Sequence, residues 1–171
     1  KLEASDRLLH IPLKDIPDVA PALDPSKPTA VLLVGKYNSV GIHTLLWVLR
    51  MFPNHFKNII FMGAGVVDVE SFSGKDSLES MQKEVDTRLN YFVQICHQRG
   101  IAAEACSAFG TDLASQLTEL AEKISQKFPN SIFFATKLTF DNDNWITRWL
   151  HNETAFTLQR RLHLRNMQLV I

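Results

Sequence analysis

The residues that could hold an anion lie in the segment GKYNSVG, Gly35 to Gly41. A phosphate-binding P-loop has the pattern G-x-x-x-x-G-K-[ST], in which backbone amides surround the phosphates and the lysine reaches them. Here five residues separate the glycines, and Ile42 stands at the lysine position. A helix that begins here, with Ser39 as its N-cap, would still attract an anion to its N-terminus. The candidates for such a weak anion site are Lys36, Asn38, Ser39 and Gly41.

Other residue types that often carry chemistry show no recognised catalytic or metal-binding spacing. The segment DNDNW, Asp141 to Trp145, begins like a calcium loop, which needs glycine at its sixth position and glutamate at its twelfth. This chain has Ile146 and Asn152 there, and its six histidines include no H-E-x-x-H pair. Asp68, at the end of a predicted strand, is interpreted as a solvated turn residue. The sequence therefore predicts no enzyme, no metal site and no cofactor.

The segment LHNETAFTLQRRL, Leu150 to Leu162, lies where a nucleotide-binding protein of this kind would carry a glycine-rich phosphate loop. Asn152 is a suitable N-cap, and Arg160 and Arg161 lie near the helix C-terminus. All seven glycines of the chain occur at or before Gly110. Because glycine is what lets a backbone approach a phosphate closely, we expect no useful affinity for ATP.

Composition excludes several classes of protein. The formal net charge is zero, which argues against a nucleic-acid partner. The two cysteines, Cys96 and Cys106, form no C-x-x-C motif and are interpreted as reduced, packed thiols. No apolar run reaches the roughly 18 residues that span a bilayer, and the N-terminus does not resemble a signal peptide. Because the chain begins without methionine, we interpret it as part of a larger protein.

Most of the prolines lie in residues 1–28, which are therefore predicted to form an extended leader. Residues 29–171 alternate between apolar runs and helical patterns, which predicts an α/β fold with a doubly wound, five-stranded parallel sheet. Ligands of such sheets bind at the carboxyl ends of the strands, which here means the loops after strands one and four. The predicted strands are Thr29–Gly35, Asn58–Asp68, Ile101–Gly110, Ser131–Leu138 and Met167–Ile171. The predicted helices are Ser39–Phe52, Lys75–Arg99 with Gly100 as its stop, a helix that starts at Thr111 or Asp112 and ends at Phe128, and Leu150–Leu162.

The order of elements, the short strands and the length resemble the universal stress protein fold, which is adenine nucleotide alpha hydrolase-like. This resemblance implies the strand order 3-2-1-4-5 and a possible homodimer through the last strand. The nucleotide-binding branch of that family carries G-x-x-G-x(9)-G-[ST] after strand four. The glycine-free sequence after Gly110 departs from that motif.

A closer resemblance covers roughly Pro28 to Ile171 in four blocks: VGKYNSVGIHTLLWVLRMFPNHFKNIIFMGAGVVD, GTDLASQL, FFATKL and LHNETAFTLQRRL. They are similar to the C-terminal soluble domain of bacterial amino acid permeases of the amino acid–polyamine–organocation superfamily. The resemblance implies a non-catalytic regulatory or assembly domain at the cytoplasmic face of the inner membrane. Its partner would be the transmembrane part of its own permease. Two alternatives stay open: a stand-alone module that binds a nucleotide or small anion, and an enzyme of the adenine nucleotide hydrolase-like group.

Overall fold

The computed structural model describes residues 20–35, 38–66, 75–135 and 156–171. Several residues discussed above lie outside these ranges: Lys36, Asp68, the Asp141–Trp145 segment and Asn152.

Five parallel strands form one sheet in the order β3-β2-β1-β4-β5, which confirms the predicted fold class and strand order. The central strand β1 pairs with β2 on one side and β4 on the other. The strands are β1 (Thr29–Leu33), β2 (Asn58–Val66), β3 (Ala102–Gly110), β4 (Ser131–Ala135) and β5 (Leu169–Val170).

The last strand is shorter than predicted. Its ladder joins Phe133 to Leu169 and Phe134 to Val170. Met167, predicted as the first residue of this strand, instead donates its N–H to the Leu162 carbonyl at 3.0 Å as part of a helix ending. The prediction of a strand over Met167–Ile171 was wrong at its start, because the cap of the preceding helix uses the backbone N–H of Met167.

Four helices cover the two faces of the sheet. They are α1 (Asn38–Met51), α2 (Lys75–His97), α3 (Leu113–Lys127) and α4, described over residues 156–163. The helices α1 and α2 pack on one face, and α3 and α4 on the other. The prediction that Ser39 caps α1 was wrong: Asn38 is already helical, so Ser39 lies within the first turn.

Residues of β1 alternate between the two buried layers. Leu32 faces the α1–α2 layer and Val31 faces the α3–α4 layer, and both are buried. Successive side chains of a strand point to opposite faces, so a strand covered on both sides is apolar throughout. Each fully buried side chain of this size contributes about 1.5–3 kcal/mol to folding. The apolar run TAVLL is therefore what a strand covered on both faces requires.

Two helices end in the same way, one as predicted and one not. After α2, Gly100 has φ +68°, its N–H bonds the His97 carbonyl, and the Ile101 N–H bonds the Cys96 carbonyl. This Schellman motif confirms Gly100 as the stop, although the regular helix ends at His97. After α4, Asn166 has φ +58° and occupies the same position in an equivalent set of bonds. Asparagine tolerates this left-handed conformation, so no glycine is needed there.

Asn58 attaches the end of the leader to the amino edge of the sheet. Its side chain is 1% exposed. The amide nitrogen donates to the Asp24 carbonyl at 2.7 Å and to the Thr29 hydroxyl at 2.9 Å, and the amide oxygen accepts from the Asp24 N–H at 3.0 Å. Leu23 also packs against the α3–α4 layer. The described end of the leader is thus held to the domain at a defined point.

We expect Asn58→Ala to lower the free energy of unfolding by about 1–3 kcal/mol, because it leaves buried polar groups without partners. Urea denaturation would measure the change. Asn130→Ala is the matched control, since that side chain makes an exposed bond to the Ser26 carbonyl. Its effect should stay within about 0.5 kcal/mol. Equal losses in the two variants would contradict this role of Asn58.

Candidate functional site

The carboxyl edge of the sheet, near the ends of β1 and β4, is where a ligand of this fold would bind. Because the strands are all parallel, the connecting helices run back along the sheet and begin at this edge. Val34 extends β1 there by donating its N–H to the Met62 carbonyl at 2.9 Å. Asn38 and Ser39 lie in the first turn of α1. Of the four predicted anion-site residues, the structure therefore places these two at the expected edge, and Lys36 lies outside the described residues.

Gly41, the fourth candidate, serves the packing of α1 against α2. A Cβ atom at this position would lie 2.6 Å from the Phe92 ring of α2, closer than a real Cβ contact allows. The Phe92 ring in turn stacks on Phe61 of β2, with 5.3 Å between centroids. The second glycine of GKYNSVG is thus explained by a close contact between helix and side chain. A glycine inside a helical pattern is the sequence signal for such a contact.

The start of α3 is occupied by a carboxylate from the chain itself. Asp112 is the N-cap: it accepts from the Ser115 N–H at 3.2 Å and from the Ser115 hydroxyl at 2.6 Å. These bonds from Ser115, with a smaller contribution from the Arg161 charge, lower the pKa of Asp112. The cap confirms the sequence prediction that the helix starts at Thr111 or Asp112. The positive end of this helix is consequently already paired with a negative charge.

Arg161 joins α4 to the start of α3. Its guanidinium Nη1 donates to the Ser115 hydroxyl at 2.9 Å and lies 3.9 Å from an Asp112 carboxylate oxygen. The sequence places this arginine near the C-terminus of its own helix, where it would complement the dipole. The structure shows that it contacts residues 46 positions earlier in the chain. Only the fold could reveal this pairing, because the two helices are joined through a further strand.

Arg165 provides a second link between α4 and α3. It forms an ion pair with Glu122 and donates to the Arg161 carbonyl at 3.3 Å. The bond to the carbonyl is a favourable interaction of a cation with a helix C-terminus. Together with Arg161, this side chain sets the position of α4 against α3.

Both cysteines are free thiols, as predicted. Burial raises the pKa of the Cys96 thiol to about 12. The pKa of Cys106 is also raised, chiefly by burial and further by the nearby Glu104. The thiolate is the nucleophilic form of cysteine, so these environments favour structural thiols over reactive ones.

Arg88 of α2 is a largely buried charged residue that was not among the site residues predicted from the sequence. Its side chain is 13% exposed and pairs with Glu84 at 3.7 Å. The buried Nε atom has no hydrogen-bond partner among the residues that the structure describes. The available signal was an arginine between the core positions Val85, Leu89 and Phe92.

Within residues 20–35, 38–66, 75–135 and 156–171, no three His, Cys, Asp or Glu side chains are grouped so that they could hold a metal ion. No helix in the same ranges combines the length and apolar character needed to cross a membrane.

Comparison of this chain with protein-family models, with curated proteins and with solved structures gave no match.

We expect the Asp112 carboxylate to make stability depend on acid pH. Since its folded pKa lies below the unfolded value of about 3.9, its contribution is present above that pH and is lost as pH falls through the folded pKa. Asp112→Asn keeps a capping side chain but removes the charge. It should therefore unfold more easily than wild type at neutral pH, with the difference shrinking in acid. Denaturant titrations between neutral and acid pH would measure this, with Glu119→Gln on the same helix as control. A difference that does not change with pH would contradict the assignment.

Proposed function

We propose that this chain is a non-catalytic regulatory or assembly domain of a bacterial amino acid permease of the amino acid–polyamine–organocation superfamily. It acts at the cytoplasmic face of the inner membrane, and its partner is the transmembrane part of the same polypeptide. The resemblance of four sequence blocks is the starting point. Two of these blocks meet in space, because Arg161 of LHNETAFTLQRRL donates to Ser115 of GTDLASQL. The residues that carry the resemblance thus include a contact between helices.

The observation that carries an assembly role is the end of the sheet that the described residues leave uncovered. The two-residue strand β5 pairs with β4 along one side. Val170 is 41% exposed and Ile171 is 45% exposed. A sheet edge offers backbone N–H and C=O groups to another chain, and exposed apolar side chains add area for the contact. These features support association with another protein surface, either the membrane body or a second copy.

The polar residues at the carboxyl edge support the non-catalytic part of the proposal. Asp112, Ser115 and Arg161 bond with one another at this edge, and Arg165 pairs with Glu122 farther along α3. A general acid, base or nucleophile must be within reach of a substrate. Side chains held by each other in helix caps and cross-helix pairs instead maintain the position of α4.

The open reading frame that encodes this chain tests the transporter assignment directly. We expect it to encode, before Lys1, a series of apolar segments of about 20 residues each, the length of a membrane-spanning helix. A reading frame that begins within a few residues of Lys1 would contradict the assignment.

We also propose that the domain can form a homodimer through its last strand. Val170→Lys should shift the protein toward monomer in light scattering at high concentration, because a charge on an edge strand opposes pairing with another edge. Leu164→Lys is the matched control, since Leu164 is 73% exposed but lies outside the sheet. Wild-type protein that stays strictly monomeric at high concentration would refute self-association.

A second candidate function, binding of a small anion, is favoured by Arg88. Phe92 contacts Gly41 near the start of α1, and Arg88 lies one turn earlier in α2, about 6 Å closer to the carboxyl edge. A buried guanidinium nitrogen near the start of α1 is suited to binding an anion.

Calorimetric titrations separate small-anion binding from nucleotide binding. Phosphate binding that Arg88→Gln abolishes would support the small-anion function, and a tight isotherm for ATP or AMP would support the nucleotide-binding module.

A further inference from the structure

The outer side of α1 has an unusual composition for a solvent-facing helix surface. His43, Trp47 and Met51 recur at intervals of four residues, and Arg50 lies beside them, so that they form one stripe along the helix. Each of the four is exposed, with Trp47 at 44% and Met51 at 54%. We call these four residues the α1 stripe. Two large apolar side chains thus lie where a solvated helix normally carries charged or polar residues.

The other helices of this chain show the usual pattern. The exposed side of α2 includes Glu79, Lys83 and Glu84, and that of α3 includes Glu119 and Lys123. Both helices mix the two signs of charge, as expected for surfaces that face water. The α1 stripe differs from them in having a tryptophan, a methionine and basic residues without an acid.

The sequence around α1 also lacks negative charge over a long stretch. From Lys36 to Val67 there is no aspartate or glutamate, although the whole chain has zero formal net charge. The same stretch contains the basic residues Lys36, Arg50 and Lys57 and the histidines His43 and His55. Both Arg50 and Lys57 are exposed. The α1 stripe and Lys57 therefore belong to a stretch of sequence that carries basic residues and no acid, on a chain whose formal net charge is zero.

Trp47 of the α1 stripe is held by contacts with other aromatic rings. The Trp47 ring meets the Phe52 ring at 6.3 Å and the Phe134 ring at 6.2 Å, both edge to face. Phe134 is buried in β4, and Phe52 also packs on Phe56. Edge-to-face aromatic pairs stabilise the fold beyond the effect of the area they bury, so these contacts hold the indole in a fixed position.

We infer that the α1 stripe, with Lys57 at its end, docks on the surface of an anionic lipid bilayer. Tryptophan is enriched at membrane interfaces because its apolar ring carries a polar N–H, and methionine adds apolar contact. Arginine and lysine bury their aliphatic stems while their charges reach the lipid headgroups. Basic residues in a stretch of sequence without acids complement the negative surface. This inference deepens the proposed function by naming a surface that faces the membrane, and it does not depend on the last strand.

Vesicle flotation with the full 171-residue chain tests the inference. We expect binding to vesicles of phosphatidylcholine mixed with phosphatidylglycerol, much weaker binding to phosphatidylcholine alone, and release at about 1 M salt, where charges are screened beyond roughly 3 Å. One basic residue near an anionic surface strengthens binding by about fivefold, so Arg50→Glu with Lys57→Glu should weaken it by twentyfold or more, on the order of two such factors. Lys83→Glu with Lys123→Glu, which changes the net charge equally, should have a much smaller effect.

The apolar contribution is tested separately by Met51→Ser, a substitution at an exposed site that leaves the ring contacts in place. It should weaken vesicle binding, whereas Leu164→Ser, at the more exposed site in the turn after α4, should not. Circular dichroism of every variant would confirm that the fold is intact.

The absence of binding to anionic vesicles would overturn the inference, and so would an equal loss of vesicle binding in the two pairs of charge-reversal variants. Self-association that Met51→Ser abolishes, without any vesicle binding, would also overturn it. That result would assign the surface to a second copy. Failure of vesicle binding together with a transporter reading frame would leave the proposed function intact. Vesicle binding by a chain whose reading frame encodes no transporter would reject the proposed function and retain the inference.

Discussion

Burial of the parallel sheet on both faces is the constraint on which the rest of the structure depends. β1 directs Val31 to one helical layer and Leu32 to the other, and both side chains are buried. Neither layer could be removed without exposing a continuous apolar strand. Because all the strands run in one direction, every connecting helix begins at the carboxyl edge and ends at the amino edge. The position of each cap, glycine and charged helix end follows from this arrangement.

Most polar side-chain contacts among the described residues join separate segments of this layered fold to one another. Asn58 holds Asp24 and Thr29 at the amino edge, and Arg161 holds the Asp112–Ser115 cap at the carboxyl edge. These bonds join segments that are distant in sequence and leave the helices in defined positions. A domain whose polar side chains are used in this way is suited to presenting surfaces to partners, which adds to the support that the exposed end of the sheet gives the proposed assembly role.

The described residues leave the β5 end of the sheet only partly covered, and this exposed end is one of the surfaces proposed for partners. At the β5 end, the α1–α2 layer reaches Phe134 through Trp47 and Phe52, while Val170, the ladder neighbour of Phe134, stays 41% exposed. The outer stripe of α1 then adds exposed Trp47, Met51 and Arg50 to the same region. The proposed role between a membrane body and further copies of the domain would use both of these surfaces.

The sequence by itself determined the order of the elements, the parallel sheet, the Asp112 cap and the Gly100 stop. These features depend on hydrophobic periodicity and on bonds within a few residues, which a linear pattern records. Tertiary structure alone decided that Gly41 accommodates Phe92 and that Arg161 pairs across helices. It also decided which side of α1 faces outward. Each of these depends on segments that lie far apart in the chain and meet only when the two layers close on the sheet.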